Sequence, residues 1–405
     1  MASIRTVLFW FHLAAGITAG VIVLIMSATG VALTYEKQVL EWADRGAWSA
    51  PPSSGAARLS PETLLARVRE TQPEAAPTAL TLRADAAAPA TVTMEGQRAL
   101  LVDPYTGDII GPPPSGLRSF FRFMTSWHRW LAMEGEGRAT GKAITGAANL
   151  GFLFLVVSGI YIWVPRLWSR VQFRNVLWFR RGVQGRARDF NWHNVIGIWS
   201  AIPLALVVLG AVPISYPWAS NLVYRLVGEE PPAPAQARPA ARAEGAGRAG
   251  SQGQARQQEG AAPIDAPDFT GIDRAYAAAL DQSPEWRAVS IRIPNAAQRS
   301  VSLTIDNGYG GQPQKRGTLT VTRAGDVERW ETFADLGAGR RLRSWLRFVH
   351  TGEYYGLTGQ TIAGLVSAGG VVLVWTGLAL AVRRFANWLA SRSRQRGAAP
   401  TRKAA

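Results

Sequence analysis

Residues 190–221 read FNWHNVIGIWSAIPLALVVLGAVPISYPWASN, a run without Asp, Glu, Lys or Arg that carries one histidine, His193, near its start. A helix of about 20 apolar residues crosses about 30 Å of hydrocarbon, so this stretch is long enough to span a bilayer. Three others share its character: Thr6 to Tyr35, Ala143 to Val164 and Tyr354 to Val382. Together they predict an α-helical membrane protein with a bundle of four transmembrane helices. The first run is far longer than the roughly 7–15-residue apolar core of a secretory signal, so it reads as a retained anchor.

A net charge of +16 raises nucleic acid as a partner, but its placement argues against one. Segments 1–6, 164–189 and 382–405 hold fifteen basic residues, from Arg5 through Arg166–Arg188 to Lys403, against a single acid, Asp189. These segments are alternate flanks of the four runs, which is the positive-inside pattern of an inner-membrane protein. It predicts cytoplasmic termini and a cytoplasmic basic loop at 168–189, with the long loops, roughly 36–119 and 219–345, in the periplasm. A patch for nucleic acid would gather on one soluble domain instead. The chain has no cysteine, which excludes disulfides, thiolate chemistry, iron–sulfur clusters and covalent haem attachment through C-x-x-C-H.

The outer segments divide into two similar units. In 37–118, Ser60-Pro61-Glu62-Thr63 is a helix start. Strand-like runs follow at Ala79–Leu82, Ala90–Met94 and Ala99–Val102, and Asp103–Asp108 forms a turn before Ile109-Ile110. In 264–340 a helix-like run, Ile272–Leu280, precedes strand-like runs at Ala288–Ile293, Val301–Ile305, Thr318–Thr322 and Val327–Thr332. Each predicts a small α+β unit, one helix on an antiparallel sheet. Residues 222–263 between them, rich in Pro, Ala, Gly and Arg from 229 on, predict a flexible linker. The remaining segments are 1–36, 119–167 and 341–383, the last two with an interfacial piece before the helix, and a basic tail at 384–405.

Spacing shows that the two halves are a duplication. His12 is followed by Gly16 and by Thr34-Tyr35; His193 is followed, at the same offsets, by Gly197 and by Ser215-Tyr216. Thr140–Gly146 and Thr358–Gly364 share the pattern T-G-x-x-I-x-G, and each is followed by a glycine, Gly159 or Gly377, 18 residues after its first glycine. Such glycines suit close helix packing in lipid.

The four histidines of the chain, His12, His128, His193 and His350, take matched positions in this duplication. His12 and His193 open the first and third spans near the basic flanks. His128 and His350 directly precede the second and fourth spans at the opposite face. The topology therefore predicts two pairs, His12/His193 and His128/His350, one at each side of the bilayer. An ionisable side chain in a membrane is costly and usually functional, and facing helices can supply two imidazoles to haem iron. Zinc wants four ligands, or three and water, and a proton relay would draw on acids that these spans lack; interfacial histidines bonded to backbone carbonyls are the bland alternative. Trp127, Arg129, Trp130 and Arg347 stand beside the outer pair and Trp192 beside His193. Aromatics can wall a porphyrin and arginine can pair with its propionates, although the same residue types also form an ordinary interfacial belt.

These features together resemble the PepSY-associated transmembrane (PepSY_TM) family of iron-regulated inner-membrane proteins, which includes ferrisiderophore reductases of the FoxB type. The resemblance is carried by the His12 helix ending in Thr29-Gly30 and Thr34-Tyr35, the Asp103–Gly107 turn, His128-Arg129, Asn191–Gly197, and His350-Thr351-Gly352-Glu353 with Gly356 and Gly359. It implies a four-helix core with two periplasmic α+β PepSY-like domains. It also implies two b haems ligated by the four histidines, and transfer of electrons to ferric siderophore. No dinucleotide fingerprint is present, so the donor would be a quinol or a cytoplasmic partner. A membrane-anchored binding or regulatory protein and a haem transporter are the competing functions.

Overall fold

The computed structural model describes residues 3–74, 76–164, 169–232 and 267–397. The chain forms α1 (Ile4–Leu33), α2 (Glu36–Asp44), α3 (Pro61–Thr71), β1 (Pro77–Arg83), β2 (Ala90–Met94), β3 (Ala99–Val102), β4 (Ile109–Gly111), α4 (Ser115–Trp130), α5 (Gly137–Trp163), α6 (Arg170–Leu177), α7 (Gly185–Ser215) and α8 (Pro217–Leu226). Beyond the gap follow α9 (Ile272–Gln282), β5 (Ala288–Arg292), β6 (Ser300–Asp306), β7 (Arg316–Thr322), β8 (Val327–Thr332), α10 (Ala338–His350) and α11 (Gly356–Gly397). Most of the expected linker, 233–263, lies outside the described residues, as do Arg166, Arg402 and Lys403.

Among the described residues, four helices are long and apolar enough to cross a membrane, and each holds most of one of the four apolar runs. α1 and α7 each pack on both α5 and α11, so they face each other diagonally across the bundle. One end carries the arginine-rich flanks, and the other joins the sheet. Tyr216 is extended at the end of α7, and Pro217 takes the first position of α8, where its missing N–H has no helical partner to lose. Residues 222–226, expected in the linker, are therefore helical. The basic tail also departs from expectation: α11 runs on through Arg383 and Arg384 to Gly397.

The glycine spacing now has a physical cause. A Cβ at Gly141 would collide with the Trp130 carbonyl, and one at Gly359 with the Gly352 carbonyl. Both carbonyls lie two residues after an outer histidine. The first glycine of each T-G-x-x-I-x-G therefore lets α5 and α11 abut the turn that follows His128 or His350. Gly352 makes that turn at φ 75°, whereas after His128 Leu131 and Ala132 adopt left-handed backbones at φ 53° and 57°, a conformation uncommon for residues with a side chain.

The outer units differ from expectation. They are not two separate sheets but one eight-stranded antiparallel sheet in the order β4-β3-β2-β1-β5-β6-β7-β8. β1 pairs with β5 from Ala79↔Arg292 to Arg83↔Ala288, and at this seam the Thr81 and Ser290 hydroxyls lie 2.9 Å apart. Unpaired edges invite foreign pairing; joining the two units removes one edge from each. Leu64, Leu65 and Val68 of α3, Leu80, Val92, Ile272 of α9, Ile291, Leu303 and Leu319 form one shared core. The two helices also cap each other: Glu62 N–H donates to Asp273 Oδ1 (2.8 Å) and Asp273 N–H to Glu62 Oε1 (3.1 Å), placing a carboxylate at each positive helix N-terminus.

Polar clamps tie the short helices beside the bundle to one another and to the sheet. Lys37 Nζ lies 2.7 Å from Glu353 Oε1 and donates to the Gly310 carbonyl of the β6–β7 loop (2.9 Å). Arg118 of α4 holds Asp44 of α2 with two hydrogen bonds of 2.8 and 2.7 Å.

Candidate haem-binding site

The structure brings the histidines together in two pairs. Those at the sheet end, His128 and His350, occupy the last turns of α4 and α10. Both helices have one apolar and one charged side, and each lies on the bundle, α4 against α1 and α5, α10 against α7 and α8. Their imidazole rings are 6.1 Å apart between centroids, with planes inclined at 44°. At the basic end, His12 of α1 and His193 of α7 line one cavity of about 330 Å³ between the diagonal helices.

Every imidazole is anchored through Nδ1. His128 Nδ1 is 2.9 Å from the Met26 carbonyl and 3.0 Å from Thr29 Oγ1. His350 Nδ1 is 2.8 Å from the Val207 carbonyl. A carbonyl only accepts, so Nδ1 carries the proton in both, and Nε2 is the nitrogen with the lone pair. His12 Nδ1 lies 2.9 Å from Ser158 Oγ, and His193 Nδ1 3.0 Å from Thr376 Oγ1. Those hydroxyls donate to carbonyls one turn back, Phe154 (2.7 Å) and Val372 (2.7 Å). Their oxygens are thus left to accept from Nδ1–H, and the same tautomer follows. Met26 is fourteen residues beyond His12, and Val207 fourteen beyond His193; at 1.5 Å per residue the two levels are about 21 Å apart along the helices.

Glycine makes room at the basic-end level. A Cβ at Gly159 would sit 3.4 Å from His12 Cε1, and one at Gly377 3.3 Å from His193 Cε1. Gly16, Gly20 and Gly197 also line the cavity, with Phe9, Phe152, Trp163 and Phe190 as aromatic walls and Arg186 and Arg384 as cations. Arg384 also stacks over Phe9 and Trp10, 5.1 and 4.8 Å from the ring centroids.

The flanking residues singled out in the sequence lie against aromatic neighbours. Trp192 is not among the residues that line the cavity; its ring meets Phe179 edge-on at 6.2 Å, with Arg188 5.6 Å away. Trp127 packs edge-on against Phe123 at 6.3 Å. Arg129 stacks over Trp130 (4.6 Å) and Arg347 lies over Phe348 (5.4 Å). Sequence reasoning missed Arg186, Arg384, Ser158 and Thr376. The hydroxyls had a signal, since each directly precedes Gly159 or Gly377 and so recurs in the duplication. Among the described residues, no three His, Asp or Glu side chains cluster to hold a metal ion.

The donor chemistry and the space fit haem: paired imidazoles with Nε2 as the lone-pair nitrogen, a cradle that side chains at its glycines would fill, aromatic walls and two arginines. No curated protein matches the chain. Residues 9–384 match the family described as the PepSY-associated TM region.

Proposed function

We propose that this chain, which belongs to the PepSY-associated transmembrane family and is a membrane protein, is a di-haem b oxidoreductase of a bacterial inner membrane. On this reading it carries electrons across the bilayer and reduces a ferric siderophore or another Fe(III) chelate on the side of the sheet. The observation that carries the reading is the set of four imidazoles at two levels, each with Nδ1 held by a hydrogen-bond partner.

His12 and His193 would hold one haem, and His128 and His350 the other. The rings of His128 and His350, 6.1 Å apart between centroids, are near enough for both to hold one such group. Bound haem supplies a reversible one-electron Fe(III)/Fe(II) couple. The protein's part is to fix the imidazoles by their Nδ1 bonds, to exclude water with the aromatic walls, and to offer Arg186 and Arg384 to propionates. Arg129 and Arg347 stand beside the outer histidines. The basic end faces the cytoplasm by the positive-inside rule, so electrons enter there from a quinol or a cytoplasmic donor. One electron per chelate converts Fe(III) to Fe(II), which common siderophores hold far less tightly.

The test is a pyridine haemochrome assay on the purified protein, followed by ferric-chelate reduction in reconstituted vesicles with a reductant inside. The expected result is two haems b per chain and Fe(II) appearing outside. A protein without haem contradicts the reading. Labile haem without chelate reduction would favour transport instead.

A further inference from the structure

We infer that Ser158 and Thr376 are positioning residues that set the donor strength of His12 and His193, and through it the redox potential of the group these imidazoles hold. The inference rests on the haem reading above.

Three observations carry it. First, the two hydroxyls are equivalent in the duplication, each 17 residues after the first glycine of its T-G-x-x-I-x-G. Each also directly precedes the glycine that admits Cε1 of the same imidazole. Second, each hydroxyl spends its own proton on a carbonyl one turn back, at 2.7 Å. It therefore meets Nδ1 as an acceptor, at 2.9 and 3.0 Å. A hydrogen bond accepted from Nδ1–H makes the other ring nitrogen a stronger donor. A stronger donor favours the oxidised, more highly charged metal and lowers its potential. Third, the sheet-end imidazoles give Nδ1–H to the main-chain carbonyls of Met26 and Val207, and only His128 of the two also has a side-chain hydroxyl at hydrogen-bond distance in the same place, Thr29 Oγ1 at 3.0 Å. A helical carbonyl is present whatever the side chain, whereas a hydroxyl is a choice of residue. The basic-end level is thus the one at which both imidazoles meet a side-chain hydroxyl at equivalent positions of the duplication. Arg186 and Arg384 also act on that level as cations lining the cavity, so a test must leave them in place.

The experiment is a spectroscopically monitored redox titration of the full-length purified protein. The variants are Ser158→Ala, Thr376→Val and the double, with Ser158→Thr and Thr376→Ser as conservative controls. The His12→Ala spectrum identifies which midpoint belongs to the basic-end haem. That midpoint is expected to rise in each hydroxyl deletion and further in the double. The other midpoint is expected to stay, and the conservative variants to match wild type. Loss of one haem in Ser158→Ala that Ser158→Thr restores also supports the role, since the hydroxyl is then what holds the imidazole. Unchanged midpoints in a haem-replete double variant overturn this inference alone, as does haem loss that the conservative variants share. Absence of haem from wild type overturns the haem reading and this inference with it.

Discussion

His128 and His350, from opposite halves of a duplicated chain, bring their imidazole rings to 6.1 Å between centroids. Neither sits on a membrane-spanning helix. Each closes a short helix laid on the bundle, and each reaches a carbonyl fourteen residues beyond the histidine at the other end. The same construction is used twice, and the two copies meet. Interfacial histidines bonded one by one to nearby carbonyls would have no reason to converge in this way.

The glycines beside the basic-end imidazoles give a steric test. Gly377→Leu would push a side chain into His193, whose Cε1 lies 3.3 Å from the position of the new Cβ. On the di-haem reading proposed above, one haem should be lost and the other retained; haem per chain, measured on purified protein, reads this directly. Full occupancy in Gly377→Leu would show that the imidazole does not need this space.

The clamp between Lys37 and Glu353 should couple sheet and bundle. Glu353 is 7% exposed and its partner lies 2.7 Å away. Removing one member leaves a buried charge, at a cost of about 3 kcal/mol. Lys37→Met should therefore lower the thermal midpoint of the full-length protein. Lys37→Met with Glu353→Gln should cost less than the two single changes added together, and simple additivity would argue against a coupled pair.

The shared core of the outer domain predicts that damage in one half is felt in both. Ile291 is wholly buried at the β1–β5 seam. Ile291→Ala should destabilise the domain by about 2–5 kcal/mol, and hydrogen exchange should rise in β1 and β2 as well as in β5 and β6. Exchange confined to β5–β8 would mean two independent units.

How much of this was legible beforehand follows from distance along the chain. The four spans were readable because a bilayer demands long apolar runs, and the duplication because its spacings recur in His, Gly and Tyr. The outer strands were readable from alternation. Their union was not, since Thr81 and Ser290 meet across two hundred residues and nothing local marks either as a seam. At the site, four histidines in matched positions were conspicuous. Ser158 and Thr376 looked like ordinary helical hydroxyls. Arg186 and Arg384 were counted only as topology signals, while Trp192, next to His193 in sequence, points to Phe179 because neighbours on a helix are turned about 100° apart.

Acidification gives a check on the outer domain. Thr270 donates its backbone N–H to the Asp268 carboxylate at 3.0 Å, and its hydroxyl and Arg323 add to the effect, so Asp268 titrates below the ordinary carboxylate range. A carboxyl lowered in the folded state stabilises fully above its unfolded value, about 3.9, and loses that contribution as pH falls through the folded value. The thermal midpoint of wild type should exceed that of Asp268→Asn at pH 6, and the gap should close towards pH 3. A gap independent of pH would contradict this assignment.

The pairing itself is most directly tested by haem per chain in histidine variants. On the proposed pairing, His12→Ala, His193→Ala and His12→Ala with His193→Ala should each lose the same single haem, because both ligands would serve one site. His12→Ala with His128→Ala should lose both. A double variant His12→Ala with His128→Ala that loses only one haem would contradict the account, because the histidines would then be paired across the two levels and not within them.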